Sequence, residues 1–370
     1  MKAFLKILSV IASIIICIAI AAFLFIRLWK PMGGSASEED RQNYASRAEN
    51  YRDGLFYNDD EFDIMTVNSR VDDKVMSFKD TSPKSPLPVK EPVFDAAYDI
   101  SDVSVTWFGH SSLLIHMHGM NILIDPTFSE RISPVSFIGP KRFSPSAVTV
   151  EELPQIDVLI ISHDHYDHLD YNTVLALDEK VSRYVVPLGV ENHLERWGIN
   201  SEKITNMAWW EEIDIDGLTI ACTPSKHYSG RSLNDRYKTL WASWVFRDEY
   251  HQIYESGDSG YGSHFQKIHD KYGDFDFVMI DCAQYNTKWA NVHMFPEEAV
   301  KAALTLGTKV AMPIHWGAMS LAEHAWDDSV RRFVDDGEKN GLTVFTPYLC
   351  QTADIGNAHL YSDHWWENIE

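Results

Sequence analysis

Residues 162–170 read SHDHYDHLD and follow DVLII (157–161), an apolar run that predicts a short buried strand. His163 and His165 lie two residues apart in extended chain, so their side chains project to one face. Asp167 and His168 follow where the chain turns into the helical pattern of residues 169–177. The first two imidazoles predict one metal site and the carboxylate with the third imidazole predicts a second beside it, because zinc takes this ligand set. The spacing disfavours the alternative, an exposed turn with incidental histidines.

Three further candidate ligands each follow a predicted strand. His227 comes after LTIACTP (218–224), Asp258 after HQIYES (251–256) and His315 after KVAMP (309–313). Functional side chains gather on loops at strand ends, so we expect these groups to meet the motif. Asp258 is the natural bridge between two ions, because one carboxylate can bind both and offset part of their charge.

The overall charge excludes one large class of partner. The chain has 370 residues, with 54 acidic and 32 basic side chains and a formal net charge of −22. Nucleic-acid binding depends mainly on Lys and Arg that neutralise phosphates, so we expect no nucleic-acid partner. The same acidity disfavours docking on anionic lipid through a broad basic patch, which leaves a hydrophobic anchor as the expected route to a membrane.

Residues 7–26 form an uncharged apolar run with the length of a membrane-spanning helix. A cleaved signal peptide is the alternative, because residues 19–21 read AIA, but the run is longer than such peptides require and continues past that point. We therefore predict a single-pass anchor. The amino terminus with Lys2 and Lys6 outweighs Arg27 and Lys30, which predicts that the body lies outside the cytoplasm.

The sequence divides into four predicted regions. Residues 1–6 are a short flank, 7–26 the transmembrane anchor, 27–100 a polar tether that wraps onto the body, and 101–370 the main folded domain. Within the tether, GLFYN (54–58) is a candidate docking contact. Short β-branched runs alternate with helical patterns from residue 103 onward, including predicted helices at 189–198, 296–307 and 322–339. This alternation of strand and helix patterns indicates an α/β or α+β domain.

These motifs resemble the metallo-β-lactamase superfamily. The runs WFGHSSLLIHMHGMNILIDPTFSERISPVSFIGPKRF (107–143), KHYSGR, LWASW, ESGDSGYG and PIHWG resemble more closely its N-acyl-phosphatidylethanolamine-hydrolysing phospholipase D branch. The resemblance spans roughly residues 90–320. It implies a four-layer αββα sandwich with two divalent metal ions, expected to be Zn²⁺.

The resemblance also implies a role for each site residue. One ion would be held by His163, His165 and His227, the other by Asp167, His168 and His315, with Asp258 bridging. Asp125, in LIDP, would orient ligands without binding metal. The remaining assignments are His293 as a group that contacts the reacting atoms and Arg231 as a cation beside the pocket. His110, at a strand-end turn, is expected to make a supporting hydrogen bond.

The expected chemistry is hydrolysis of a phospholipid phosphodiester. A hydroxide that bridges the ions would attack phosphorus, Asp167 would orient it, and His293 would protonate the leaving alkoxide or bind the phosphate. Arg231 would neutralise the phosphate. Two alternatives stay open: a lactone or amide hydrolase with the same metal centre, and a non-catalytic metal-binding membrane module. Iron or manganese would fit the same ligand types as zinc.

Overall fold

The computed structural model describes residues 2–65, 79–94, 99–143, 145–146 and 148–369. Parts of the predicted tether, residues 66–78 and 95–98, lie outside the described residues. The chain begins with helix α1 (Lys2–Leu28), which extends beyond the apolar run at both ends. By length and composition the segment Phe4–Leu28 is apolar enough to cross a membrane, and its most apolar stretch is not covered by the rest of the chain.

Residues 29–65 pack onto the body of the protein. They include helix α2 (Glu38–Arg47) and a hairpin formed by β1 (Tyr51–Arg52) and β2 (Leu55–Phe56). Ser37 caps α2 in a capping box with Asp40, which satisfies backbone donors at the start of the helix. Phe56 is fully buried, and Asn58 exchanges two hydrogen bonds with the backbone of His227. The GLFYN segment thus contacts a predicted metal ligand.

Two seven-stranded sheets form the body. The strands are β3 (Ser104–Trp107), β4 (Leu113–Met117), β5 (Met120–Ile124), β6 (Ile156–Ile160), β7 (Val181–Pro187) and β8 (Ile204–Met207) in the first sheet; β9 (Glu212–Ile215), β10 (Leu218–Thr223), β11 (Ser243–Arg247), β12 (Gln252–Glu255), β13 (Phe277–Asp281), β14 (Val310–Ile314) and β15 (Thr343–Val344) in the second; and β16 (Thr352–Asp354), which returns to the first. Their orders are β16-β3-β4-β5-β6-β7-β8 and β15-β14-β13-β12-β11-β10-β9.

Strand direction brings the predicted ligand positions to one edge of each sheet. In the first sheet β3 and β5 are both antiparallel to β4, and β5 to β8 are mutually parallel. In the second sheet β10 and β12 are both antiparallel to β11, and β12 to β15 are parallel. The carboxyl ends of β3, β5 and β6 therefore share one edge, and those of β10, β12 and β14 share the corresponding edge of the second sheet.

The core lies between the sheets, and helices cover their outer faces. Val105 and Ile115, which are paired in the first sheet, and Ile220 and Phe246, which are paired in the second, belong to one buried cluster. The helices are α3 (Tyr171–Leu177) and α4 (Glu191–Trp197), which pack with the first sheet, and α5 (His264–Tyr272), α6 (Pro296–Thr305) and α7 (Asp328–Lys339), which pack with the second. Strands covered on both faces explain the continuous apolar runs of the sequence. The predicted four-layer αββα sandwich is confirmed.

Some predicted boundaries were wrong. The helix predicted at 322–339 begins only at residue 328, because tertiary contacts hold the preceding residues in another conformation. His324 Nε2 accepts the backbone N–H of Gln284, and the Trp326 ring stacks on Trp316. Strands β8, β9 and β16 and helix α5 were not predicted.

Gly257 offers a test of the close packing beneath the predicted ligands. It adopts φ +53°, and a Cβ there would lie 2.6 Å from the carbonyl oxygen of Ala242. Gly119, in the β4–β5 turn, has φ +73° with open space around a Cβ. We expect Gly119→Ala to lower the free energy of unfolding by about 1 to 2 kcal/mol through backbone strain alone. Gly257→Ala should cost about 1 to 3 kcal/mol more, because the methyl group also meets backbone. Urea unfolding of the detergent-solubilised full chain measures both, and equal losses would contradict this account.

Candidate metal centre

Seven predicted ligands come together where the two sheets meet. The loop after β6 carries the histidine motif, and the ends of β10, β12 and β14 bring the other three side chains to it. The residues are His163, His165, Asp167, His168, His227, Asp258 and His315. All but His165 are buried, so tertiary structure, not local sequence, holds most of them away from water.

The first group consists of His163, His165, His227 and Asp258, whose ligand atoms all lie within 4.8 Å of one another. The Nε2 atom of His163 lies 2.8 Å from Nδ1 of His165, which lies 3.3 Å from Nε2 of His227. Oδ2 of Asp258 lies 3.7 Å from Nε2 of both His163 and His227. Three ring nitrogens and one carboxylate oxygen thus converge on one point.

The second group lies on the other side of Asp258. It contains His110, Asp167, His168 and His315, again with ligand atoms within 4.8 Å. The other carboxylate oxygen of Asp258, Oδ1, lies 3.2 Å from His168 Nε2 and 3.1 Å from His315 Nδ1. Asp258 therefore turns one oxygen toward each group, which is the arrangement of a bridging ligand.

Supporting contacts orient these side chains. Asp125 accepts hydrogen bonds from the backbone N–H and hydroxyl of Ser162, and its Oδ2 lies 2.6 Å from Nδ1 of His168. Nδ1 of His227 lies 3.0 Å from the carbonyl oxygen of Val292. In both histidines the contact occupies Nδ1 and leaves Nε2 facing the centre. His110 occupies an equivalent supporting position, with Nε2 2.9 Å from Asp167 Oδ2.

The backbone is strained at the same edge. His110, Asp125 and His315 adopt φ values of 55°, 42° and 72°, in the left-handed region that side chains other than glycine rarely occupy. His110 and His315 are linked directly, because the backbone N–H of His315 donates to the carbonyl oxygen of His110. Strain of this kind persists where the surrounding structure holds the chain firmly, as it does at functional sites.

Electrostatics in the centre favour a bound cation. Burial lowers the pKa of His163, His227 and His315 well below the usual value, so these rings are neutral and able to bind metal. Burial alone would raise the pKa of Asp258, but His168 lowers it far below its usual value. His168 shows the opposite balance, because its carboxylate neighbours outweigh burial and raise its pKa. The ionised carboxylates of Asp167 and Asp258 thus give the centre a negative potential that favours a bound cation.

The donor set fits divalent metal ions. The buried atom His315 Nε2 has no hydrogen-bond partner among the described residues, and the 3.2 Å contact between His168 Nε2 and Asp258 Oδ1 lacks hydrogen-bond geometry, although burying such atoms unpaired is costly. All three belong to the groups described above. Imidazole nitrogens with carboxylate oxygens are ligands for zinc, iron and manganese alike.

A cavity of about 480 Å³ opens directly onto this centre. Its walls include His165, Asp167, Asp258, His293 and His315. Apolar side chains also contribute: Ile64, Met65, Ile132, Trp289, Val292 and Leu321. The cavity therefore combines one strongly polar end with apolar walls, as ligand sites commonly do.

His293 stands beside the centre and has a carboxylate partner of its own. Its Nδ1 lies 3.1 Å from Oδ2 of Asp281, the last residue of β13. Burial alone would lower the pKa of His293, but Asp281 raises it above the usual value. Burial raises the pKa of Asp281 to about 6 even though His293 opposes this effect. Asp281 was not predicted, although it ends a buried apolar run just as Asp125 does.

Arg231 lies behind the cavity wall and is buried. Its guanidinium donates to the carbonyl oxygens of Asp164 and Leu169, at the two ends of the motif loop, and to that of Pro31. A different cation, Arg236, lines the cavity and lies over the ring of Tyr228. Arg236 was not predicted, and only its position five residues after Arg231 could have suggested it. The contact of Arg231 with substrate stays a prediction.

The segment that follows α1 is also joined to the motif loop through His193. The backbone N–H of Gly34 donates to His193 Nδ1, and His193 Nε2 lies 3.2 Å from Asp164 Oδ2. The other oxygen of Asp164 accepts the backbone N–H of Gly230. Asp164 lies between the first two motif histidines in the sequence, so this network connects residues 31–34 to the candidate metal ligands.

Comparisons with known proteins identify the family of this chain. Residues 120–316 match the family model described as "Beta-lactamase superfamily domain". An uncharacterised protein of Mycobacterium tuberculosis is 39% identical over 332 residues, which cover 87% of this chain and 88% of that protein. N-acyl-phosphatidylethanolamine-hydrolyzing phospholipase D 1 of Caenorhabditis elegans is 32% identical over 295 residues, covering 75% and 82%.

The fold is shared with a solved structure of much lower sequence identity. Igni18, a metallo hydrolase from the archaeon Ignicoccus hospitalis, superposes with a TM-score of 0.54 at 20% identity, covering 68% of this chain and 98% of that one. The chain belongs to the metallo-β-lactamase superfamily of metal-dependent hydrolases and is homologous to N-acyl-phosphatidylethanolamine-hydrolysing phospholipases D.

Proposed function

We propose that this protein is a membrane-anchored phosphodiesterase that uses two divalent ions, expected to be Zn²⁺, to hydrolyse a phospholipid of the N-acyl-phosphatidylethanolamine type. The observation that carries the proposal is the position of Asp258, with one oxygen toward each group of histidines at the polar end of the cavity. A carboxylate shared in this way supports an ion on each side. In this assignment His163, His165 and His227 hold one ion, and Asp167, His168 and His315 hold the other.

The reaction is addition of water to phosphorus with loss of an alcohol. The P–O bond to the N-acylethanolamine breaks, the water oxygen becomes bonded to phosphorus, and the products are a phosphatidic acid and an N-acylethanolamine. Divalent ions at this site would lower the pKa of water and stabilise negative charge on the phosphoryl oxygens. Asp167, held by His110, presents a carboxylate at the cavity wall that accepts a hydrogen bond from the attacking water.

His293 and Asp281 supply a proton to the leaving group. Donation from His293 Nδ1 to the Asp281 carboxylate leaves Nε2 as the ring nitrogen that exchanges a proton with substrate. Asp281 raises the pKa of His293 and so favours the protonated ring that this role requires. Arg236 provides a positive charge at the cavity wall for the phosphate, whereas Arg231 positions the motif loop through its backbone contacts.

The lipid assignment has two supports. The Caenorhabditis elegans relative is named as a phospholipase D that hydrolyses N-acyl-phosphatidylethanolamine, and its similarity extends over three quarters of this chain. The second support is α1, whose uncovered apolar surface would hold the catalytic body beside substrate confined to a bilayer. The location of the body outside the cytoplasm remains a prediction from the flanking charges.

Asp258→Asn tests the bridging assignment. The amide preserves size but removes the negative charge between the two histidine groups, so we expect the metal content to fall from two ions per chain. Hydrolysis should fall by at least about 10³-fold with it. Metal content is measured by mass spectrometry and turnover on N-acyl-phosphatidylethanolamine. Asp335→Asn, on the exposed face of α7, removes the same charge as a control and should change neither. A fully active Asp258→Asn protein with two ions would contradict the assignment.

His293→Gln tests the proton donor separately from the metal site. We expect both ions to be retained and kcat to fall by about 10² to 10⁴-fold. Asp281→Asn should cause a smaller loss of kcat, because His293 remains but loses its orienting charge. His364→Gln, at a partly exposed histidine near the carboxyl terminus, is the matched control. Loss of metal from His293→Gln would instead identify His293 as a ligand.

A comparison of substrates separates the three functional candidates. The purified full chain should release N-acylethanolamine from N-acyl-phosphatidylethanolamine and should leave acyl lactones intact. Turnover of lactone alone would favour the alternative hydrolase. Absence of turnover on both, with metal bound, would favour a non-catalytic module.

A further inference from the structure

An exposed apolar surface surrounds the end of α1 and the loop that follows β5. We call it the apolar rim and define it by Phe25, Trp29, Val135, Phe137 and Ile138, which line one shallow cavity. Phe137 is 80% exposed, Ile138 63% and Trp29 44%. A cluster of large, exposed apolar side chains on such an acidic chain indicates a site of interaction with another apolar surface.

The rim is joined to α1 by specific contacts. The indole N–H of Trp29 donates to the carbonyl oxygen of Pro134, and the Trp29 ring stacks on Phe25 one turn earlier in the helix. Arg196 donates to the carbonyl oxygen of Arg27 on the same helix end. The loop at 133–138 therefore lies beside the carboxyl end of α1. A surface that contacts the last turns of α1 would also contact this loop.

The chemistry of the rim matches the interface of a lipid bilayer. Tryptophan beside a helix end is typical of the boundary between hydrocarbon and headgroups. Arg27 and Lys30 flank this helix end, and Arg131 and Lys141 belong to the same loop region, where Lys141 pairs with Glu130. Cations beside exposed aromatic and aliphatic side chains are the composition of interfacial membrane contacts.

We propose that the apolar rim is a second membrane contact, in which residues 135–138 insert into the headgroup region of the bilayer that α1 spans. In this arrangement α1 would attach the protein to the bilayer, and the apolar rim would set the distance between the bilayer and the body of the protein. A cavity of about 560 Å³ adjoins the rim between Leu28–Pro31 and residues 129–136. Tyr166, in the motif loop, lines both this cavity and the one that opens onto the metal centre.

Hydrogen bonds connect the segment that follows Trp29 to the loop that carries the candidate metal ligands. Pro31 and Gly34, just after Trp29, are bonded to Arg231 and His193, and these hold Asp164 and Leu169 of the motif loop. The bilayer surface would therefore be held at a set position relative to the metal ligands. The value of this fixed position for catalysis rests on the proposed phospholipid substrate. The contact between the apolar rim and the bilayer does not depend on that substrate.

Site-specific labelling tests the contact without requiring turnover. In a full-length Cys17→Ser background, Phe137→Cys or Ile138→Cys carries an environment-sensitive fluorophore, while Cys222, Cys282 and Cys350 are buried. The control is Leu360→Cys, which is also 63% exposed and lies outside the rim. After reconstitution into phosphatidylcholine vesicles, labels at 137 and 138 should shift to shorter emission wavelength and be quenched by lipids with a doxyl group near the headgroup. The label at 360 should do neither.

Two results would overturn the proposal. One is a label at 137 and 138 that is as accessible to water as the label at 360. The other is the same blue shift in detergent without vesicles that rises with protein concentration, because a second copy of the chain would then cover the rim.

A kinetic measurement examines the consequence for the proposed activity. Phe137→Asp with Ile138→Asp changes only exposed side chains, so the fold and metal content should be retained. We expect slower turnover of N-acyl-phosphatidylethanolamine in vesicles and unchanged turnover of a short-chain, monomeric analogue. If neither substrate is hydrolysed by the unmodified protein, the proposed function fails, while the labelling result still decides the membrane contact.

Discussion

The structure depends on one buried carboxylate between two groups of imidazoles. Asp258 is almost fully buried, and His168 stabilises its charge. Such a group is costly to bury unless opposite charge or metal compensates it. The histidines come from the loop after β6 in the first sheet and from the ends of β10 and β14 in the second. The carboxyl ends of these strands must therefore lie close together to provide that environment. The chemistry and the packing of the sandwich are therefore linked.

The supporting contacts make the centre rigid and extend it toward the membrane. Asp125 and Ser162 fix His168 from one side, and Arg231 and His193 fix the motif loop from the other. The second pair also binds the segment after α1. The segment predicted from composition to be a polar tether is thus partly structural. Hydrogen bonds connect the residues that follow α1 to the loop that carries the candidate metal ligands.

Local patterns were sufficient for the motif and most strands but not for contacts distant in sequence. Apolar runs identify β6, β10, β12 and β14, because most residues of these strands are buried between layers, whatever they contact. Helix α7 was predicted too long because Trp326 and His324 are held by residues distant in sequence. Asp281 was missed because its partner, His293, is twelve residues away, and nothing in the intervening sequence indicates that the two side chains meet.

The sequence by itself determined the ligand types, their positions after strands and the apolar first helix. These features depend on residue identity and on short-range periodicity, which are read directly along the chain. Only the tertiary structure decided which oxygen of Asp258 faces which histidines, that Arg231 is buried against backbone carbonyls, and that the residues after α1 meet the loop at 133–138. Each of these depends on distances between segments far apart in the chain, and those distances are set by how the two sheets pack.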